Sequence, residues 1–328
     1  CFVPSCTFER QVRNRGLCIV YRFNSYRTFF RTVKTRTLQY TDEAGRFLVR
    51  TEFETPHGTL WTLAEPRGST SWLREHLFKT PDDYRALLYL VRDTDAVPEY
   101  AAAASVLENL GEDYLVRDNL PLEPLQSLIS SIYMDATQFS YEWIDNRDEL
   151  LLLYEAFADL NRRIYPMVAE GPLQVVNYGG NVVPQIIGRE LFESHYLPHY
   201  AEAAEILHRK GKRLGSHFDA DNTPIMDLIG RSALDYVEAY DPGMSPGLGY
   251  AREMFGDRTI WINWPSAWHH HDKEHAASLT RTLVEDEGRS GRLIIGVTED
   301  MPSDRWKELL SGIMDGVDEA DRRSESNP

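Results

Sequence analysis

His217 and Asp219 lie two residues apart at the end of a predicted strand that begins at Arg213. Alternate side chains of an extended strand share a face, so this imidazole and this carboxylate are predicted to point to the same side. Together they can hold a divalent metal ion, or the carboxylate can orient the imidazole as a general acid or base. The alternative is a hydrogen-bonded pair that only caps the next helix, near Asp221 or Asn222.

A second group of carboxylates, Glu299 and Asp300, follows the predicted strand at 292–297. Glu299 can complete a metal site with His217 and Asp219, or serve with them in acid and base chemistry. Asp300 can instead begin the final helix as its cap. We therefore predict His217, Asp219 and Glu299 as catalytic residues and as candidate ligands of a divalent metal, with helix capping as the alternative.

Other polar side chains also stand at or just beyond the ends of predicted strands. Amide, phenol and carboxylate groups at such positions can form hydrogen bonds with a substrate carboxylate or carbonyl. Turn formation at Gly179 and Gly180 accounts for part of the pattern. The predicted substrate-binding residues are Asn177, Tyr178, Asn181, Glu238 and Asn263.

Predicted strands and helices alternate along the chain from about residue 113 to residue 317, and they include a helix at 191–209, a strand at 213–218 and a helix at 273–286. Strands separated by helices pair in parallel through crossovers, and apolar strands such as LIIGV at 293–297 are covered on both faces. A closed barrel and a doubly wound open sheet both satisfy this pattern. Because no GxGxxG or P-loop signature opens any of these helices, the sequence favours an α/β fold of the (β/α)₈ barrel type, with the candidate residues at its catalytic face.

The first seventy residues have a less regular pattern than the rest of the chain. Two strand-like runs, 47–53 and 59–64, flank the residues TPHG at 55–58, which predicts a β-hairpin. We therefore expect an irregular N-terminal segment with a hairpin at 1–70, packed on a barrel at 71–320, and a frayed tail at 321–328.

The composition narrows the classes of partner. The chain has 328 residues, a formal net charge of −16 and a pI near 5.1. This charge disfavours nucleic acid and anionic membranes, since both bind clustered Lys and Arg. No uninterrupted apolar run is long enough to predict a membrane span. The three cysteines lie at positions 1, 6 and 18 and form neither a disulfide framework nor a zinc pattern, so we expect a reducing, cytoplasmic setting.

Several sequence blocks together resemble one known superfamily. These blocks are TPHGTL at 55–60, FESHYLP at 192–198, SHFD at 216–219 and FGDR at 255–258. In their order and spacing they resemble the uroporphyrinogen-decarboxylase-like superfamily, which also contains the corrinoid methyltransferases that act on coenzyme M or tetrahydrofolate. The resemblance extends over most of the chain and implies a barrel fold.

The resemblance also implies roles for particular residues. In the thiol-methylating branch of this superfamily, a His-x-Cys motif and a later Gly-Cys supply zinc ligands. This chain keeps His217 but has Asp219 in the first cysteine position and Val297 near the second, which excludes a Cys-ligated zinc site and leaves a harder His/Asp/Glu site. In the tetrapyrrole decarboxylase an arginine-rich N-terminal segment binds carboxylates, and the nearest residues here are Arg22 and Arg27.

The resemblance implies a one-carbon transferase. A methyl donor, carried by a separate corrinoid protein, would meet a small-molecule acceptor that Asn177, Asn181 and His217 orient. One alternative is a decarboxylase, in which Arg22 or Arg27 binds the substrate's carboxylates and His217 or Asp219 carries out the proton transfer. Another is a catalytically silent subunit that docks a corrinoid protein. The fold family also implies a homodimer.

Overall fold

A computed structural model of the chain describes residues 6–68, 70–130, 132–287 and 290–325, without the side chains of 323–325. The chain forms two compact units, each built from separate segments. The first unit comprises Cys1–Asn24, Ala101–Asn119 and Pro172–Pro328, and the second comprises Ser25–Tyr100 and Leu120–Gly171. The predicted boundary between residues 70 and 71 therefore falls inside the second unit. Of the predicted tail, 321–325 are helical and 326–328 lie outside the described residues.

Strands and helices are numbered here in chain order, and short 3₁₀ turns carry no number. The strands are β1 (Ile19–Arg22), β2 (Tyr26–Phe30), β3 (Lys34–Thr41), β4 (Phe47–Thr55), β5 (Gly58–Arg67), β6 (Thr70–Glu75), β7 (Thr94–Pro98), β8 (Tyr114–Asn119), β9 (Val175–Tyr178), β10 (Arg213–His217), β11 (Tyr236–Tyr240), β12 (Thr259–Asn263) and β13 (Leu293–Gly296). The helices are α1 (Thr7–Arg13), α2 (Tyr84–Asp93), α3 (Tyr100–Leu110), α4 (Pro124–Ile129), α5 (Ala136–Asp145), α6 (Arg147–Glu170), α7 (Pro184–His195), α8 (Leu197–His208), α9 (Met226–Arg231), α10 (Leu248–Phe255), α11 (Lys273–Asp286) and α12 (Trp306–Glu325).

A parallel sheet of seven strands forms the centre of the first unit. Its order is β1-β8-β9-β10-β11-β12-β13, and every neighbouring pair is parallel. The predicted α/β class with parallel strands is confirmed. Within the described residues no ladder joins β13 to β1, so the predicted closed eight-stranded barrel is not confirmed. Between β1 and β8 the chain leaves the sheet and forms the described strands of the second unit, β2 to β7.

One ion pair shows that this sheet curls into a half-barrel. Arg117 on β8 contacts Glu238 on β11, three strands away. In a flat sheet the backbones would be about 14 Å apart, from a spacing of roughly 4.8 Å per strand. The two side chains meet directly because the sheet bends and their shared face is concave. The inner face of the half-barrel therefore carries charge.

The core of the first unit lies between this sheet and its helices. Strand β11 is buried along its whole length, as expected for a parallel strand covered on both faces. Gly215 on β10 allows one close approach, because a Cβ there would lie 2.1 Å from the ring of Tyr236. That ring crosses β10, and its hydroxyl donates to the carbonyl of Val176 on β9 at 2.8 Å. Several apolar side chains fill this core, among them Leu214, Phe218, Val237, Ile260, Ile262 and Trp264.

The second unit contains two antiparallel sheets, β3-β4-β5-β6 and β2-β7, together with helices that include α2 and α6. The predicted hairpin is confirmed as β4 and β5, which pair up to Thr55 and Gly58. The rest of the N-terminal segment is more regular than predicted, because six strands lie between residues 19 and 75. Strand β3 gives no alternating apolar signal, since its residues are almost all exposed. No helix in the described part of the chain is long and apolar enough to cross a membrane.

Candidate functional site

His217 ends β10 and lies between two carboxylates. Its Nδ1 atom is 3.3 Å from Oε2 of Glu238, and its Nε2 atom is 3.2 Å from Oδ2 of Asp219. The His217 side chain is 17% exposed and that of Asp219 is 39% exposed, so the pair can be reached from solvent. The predicted convergence of His217 and Asp219 on one side is therefore seen, and Glu238 joins them from the neighbouring strand β11.

Arg117 extends this group into the interior of the half-barrel. Its Nη1 group donates to Oε1 of Glu238, and both residues are almost completely buried. Its Nη2 group reaches Oδ1 of Asn119 at 3.4 Å, and Nε has no partner among the described residues. The result is a chain of four charged groups, Asp219, His217, Glu238 and Arg117, which we call the charge relay row. Arg117 was not predicted from the sequence.

The charge relay row shifts the pKa values of its own members. Burial alone would lower the pKa of His217, but hydrogen bonds to Asp219 and Glu238 outweigh it and raise that pKa to about 9. The His217 hydrogen bond lowers the pKa of Asp219. Burial would raise the pKa of Glu238, yet His217 and Arg117 hold it below its usual value. His217 is therefore an imidazolium at neutral pH, flanked by two carboxylates.

The backbone around His217 is unusual at two points. Ala239 has a φ of 60°, and the register between β11 and β12 shifts between Glu238 and Tyr240, which marks a bulge next to Glu238. Gly180 has a φ of 153°, and a Cβ there would lie 3.1 Å from the Cβ of His217. A left-handed non-glycine residue is strained, and such strain is concentrated at functional sites in proteins.

The predicted substrate-binding residues have different surroundings. Asn177 is buried, and its amide contacts the hydroxyl of Tyr236 at 3.3 Å and the carbonyl of Gly179 at 3.3 Å. Tyr178, the next residue of β9, is fully buried in the core, where its ring meets that of Tyr200 edge to face at 5.6 Å. Consecutive strand residues point to opposite faces, so Asn177 and Tyr178 cannot share one pocket.

Three further predicted residues lie at or beyond the carboxyl ends of strands. Asn181 is exposed and has a φ of 55°. Asn263, at the end of β12, is buried and accepts a hydrogen bond from the hydroxyl of Thr298. Glu299 is exposed and forms no hydrogen bond or ion pair with His217. The structure therefore does not bring Glu299 to the predicted pair.

Glu299 instead contributes to an acidic surface near the site. Burial raises the pKa of Asp241, and the negative charges of Asp219 and Glu299 raise it further. The arginines predicted to bind substrate carboxylates belong to different units. Arg22 ends β1 in the first unit, whereas Arg27 belongs to the second unit and pairs with Glu99 at 2.6 Å.

The predicted metal ligands His217, Asp219 and Glu299 do not fit a shared divalent ion. Both ring nitrogens of His217 already face carboxylates, so the imidazole offers no free lone pair to a metal. No group of three or more His, Cys, Asp or Glu side chains in the described ranges is arranged to hold a metal ion. We therefore derive no step of the chemistry from a resident metal.

We expect the imidazole of His217 to titrate near pH 9 when NMR follows its ring protons. In Asp219→Asn the midpoint should fall, because one of the two carboxylates that raise this pKa is neutralised. The ion pairs of His217 stabilise the fold fully below about pH 6.5, the ordinary histidine value, and this contribution disappears as the pH rises through about 9. The corresponding substitution at an exposed aspartate, Asp227→Asn, is the control. A wild-type midpoint near 6.5 would contradict the paired geometry.

Comparison with known proteins shows likeness in fold. A methyltransferase from Methanosarcina mazei aligns with a TM-score of 0.51 and 12% sequence identity, covering 78% of this chain and 73% of that chain. The alignment with a mandelate racemase/muconate lactonizing enzyme from Roseiflexus sp. covers 88% of this chain and 86% of that chain. Its TM-score is 0.23 and its sequence identity is 10%, which are too low to support an argument. No family model matches the chain, and no curated protein matches it. The first likeness shows a shared fold.

Proposed function

We propose that this protein is a methyltransferase whose acceptor binds beside Asp219 and His217. The observation that carries the proposal is the charge relay row, whose solvent-accessible members His217 and Asp219 lie at the carboxyl end of β10 in a fold shared with a methyltransferase. Active sites of parallel α/β folds are found at the carboxyl ends of the strands. The resemblance of sequence blocks to the uroporphyrinogen-decarboxylase-like superfamily supports the same reaction class.

The exposed end of the row is the part that can touch a substrate. The Asp219 carboxylate is 39% exposed, whereas Glu238 and Arg117 are nearly inaccessible. Asp219 and the Nε2–H group of His217 are therefore the groups that we place against the acceptor. Glu238 acts through His217, because it holds the ring in place and keeps it protonated, and Arg117 in turn holds the Glu238 carboxylate.

Methyl transfer to an acceptor X–H requires that a proton leave X as the X–CH₃ bond forms. The bond between carbon and donor breaks with both electrons left on the donor, and the acceptor's proton passes to Asp219 and then to solvent. The positive charge of His217 stabilises the acceptor anion during this step, and its fixed position avoids reorganisation. Because His217 also lowers the pKa of Asp219, electrostatic stabilisation and positioning contribute more here than base strength does.

The methyl donor in this proposal is a corrinoid carried by a separate protein, which acts as a substrate of the reaction. The acceptor is a small molecule with a thiol or an amine group, as in coenzyme M or tetrahydrofolate. A homodimer is part of the same proposal by analogy with the fold family. The corrinoid donor, the class of acceptor and the homodimer are all inferred from the sequence resemblance.

A spectroscopic assay with methylcobalamin tests the proposal. The purified protein is mixed with methylcobalamin and a panel of thiol, amine and folate-type acceptors, and loss of the methylated corrinoid is followed by its absorbance. We expect protein-dependent demethylation with at least one acceptor class. Failure with every class, together with retained binding of a corrinoid protein, would replace the proposal with the non-catalytic docking subunit.

A further inference from the structure

A second candidate site lies in the second unit, on the exposed side of α2. An open pocket of about 490 Å³ is lined by His57, Arg85, Leu88, Tyr89, Arg92 and Asp93. We call it the arginine pocket. None of its residues was predicted to have a function, and none contributes to the charge relay row. Its volume lies within the range of small-molecule sites in proteins.

The spacing of residues on α2 places two cations at opposite ends of this pocket. Arg85, Leu88, Tyr89 and Arg92 lie at positions i, i+3, i+4 and i+7, which share one helix face. The opposite face is buried in the second unit. Seven residues of α-helix span about 10.5 Å, so Arg85 and Arg92 are separated by two helical turns with an apolar and aromatic floor between them.

Neither arginine of the pocket is neutralised by the protein. Among the residues that the structure describes, the guanidinium groups of Arg85 and Arg92 form no hydrogen bond and no ion pair. Other arginines of the same unit are paired, for example Arg27 with Glu99 and Arg74 with Glu65. In a chain with a net charge of −16, two free guanidinium groups that face one pocket indicate an anionic ligand.

The floor of the pocket is held in place before any ligand binds. The hydroxyl of Thr32 donates to Oδ1 of Asp93 at 2.7 Å, so the hydroxyl of Tyr89, 2.7 Å from Thr32, must donate to it. The ring of His57 meets that of Tyr89 edge to face at a centroid distance of 5.8 Å. Tyr89 therefore offers a fixed ring to a ligand and has no hydroxyl hydrogen to spare.

Asp93 adds one negative charge to the pocket, which the two arginines outnumber. Its Oδ2 atom accepts from the backbone N–H groups of Thr32 and Val33, both at 2.8 Å, and Oδ1 accepts from the Thr32 hydroxyl. Although burial alone would raise the pKa of Asp93, these hydrogen bonds lower it overall. Its carboxylate is satisfied inside the second unit, and the two arginines remain available to a ligand.

We propose that the arginine pocket binds a small organic dianion with an apolar middle. One anionic group would pair with Arg85 and the other with Arg92, each through the two-pronged guanidinium geometry that suits carboxylates and phosphates. The apolar middle would lie over Leu88 and the ring of Tyr89. This site is independent of the proposed methyl transfer.

Calorimetric titration with linear dicarboxylates, from succinate to suberate, tests this inference on the intact protein. We expect one site per chain and an affinity that rises with chain length, because only the longer members reach both arginines. Octanoate, which has one carboxylate, should bind about tenfold more weakly than suberate. A linear alkyl bisphosphonate as long as suberate that binds more tightly than suberate would identify phosphate as the preferred anionic group. Absence of binding by every dianion at millimolar concentration would overturn the proposal.

Matched arginine variants locate the binding. Arg85→Gln and Arg92→Gln should each weaken suberate binding about tenfold, since each removes one charged contact. Arg36→Gln, on the exposed face of β3 in the same unit, should leave binding unchanged. All three positions are exposed, so the variants should fold, and circular dichroism of each variant is the check. An equal loss in all three variants would show non-specific attraction and would contradict the pocket.

Discussion

Glu238→Gln is expected to lower the free energy of unfolding by about 3 kcal/mol. Glu238 is the buried carboxylate between His217 and Arg117. Its neutralisation leaves the charged guanidinium group of Arg117, which is 2% exposed, without a carboxylate partner among the described residues, and its hydrogen bond to Asn119 is long, at 3.4 Å. An uncompensated charge in the interior is costly because it has lost its water without gaining a partner. Urea unfolding measures the change.

Two further variants separate the charge effect from a packing effect. Arg117→Met combined with Glu238→Gln should recover most of the loss, because the isolated cation is gone. Asp227→Asn removes an exposed ion pair with Arg189, whose Nη2 lies 2.6 Å from Oδ2, and should leave stability close to that of the wild type. If the double variant is no more stable than Glu238→Gln alone, the charge explanation is wrong.

His217→Gln is expected to reduce the turnover number for methyl transfer by about a hundredfold or more, with little change in KM. The glutamine amide can occupy part of the imidazole's space and can still donate a hydrogen bond to Asp219. It carries no positive charge, so the stabilisation of the acceptor anion is lost in the transition state. Steady-state kinetics with the acceptor found in the methylcobalamin assay measure the two constants separately.

His208→Gln is the matched control for this substitution. His208 lies at the end of α8 in the same unit, where its Nε2 atom is 2.7 Å from Oδ2 of Asp235. It also pairs with a carboxylate but makes no contact with the charge relay row in the described structure. We expect kcat and KM of this variant to match the wild type. Equal losses in the two variants would remove His217 from the catalytic step.

Much of the first unit could be predicted from the alternation of strands and helices. The predicted helix at 273–286 matches α11 residue for residue, and the strand at 213–218 differs from β10 only at its end. The predicted helix at 191–209 is divided into α7 and α8 at Tyr196, and Pro198 in the first turn of α8 was the sequence signal for this break. Closure of the barrel could not be predicted, since apolar strands suit open and closed sheets equally.

The part of the candidate site that is formed by residues close together in the sequence could be predicted. The period of two along β10 placed His217 and Asp219 on one side, and this is what the structure shows. The same period shows that Asn177 and Tyr178 face opposite ways. The partnership of Arg117 with Glu238 depends on the curvature of a sheet across three strands, which no local pattern contains. The arginine pocket was not predicted from the sequence, because Arg85 and Arg92 have the spacing of any solvent-exposed helix face.

The most direct test of the account follows the methyl group itself. A donor labelled with ¹³C in its methyl group is mixed with the protein and an acceptor, and NMR detects the carbon that the label is attached to. The account predicts that the label moves to the acceptor at equal rates with the wild type and with His208→Gln, and about a hundredfold more slowly with His217→Gln. A label that stays on the donor with folded wild-type protein, for every acceptor class, would contradict it.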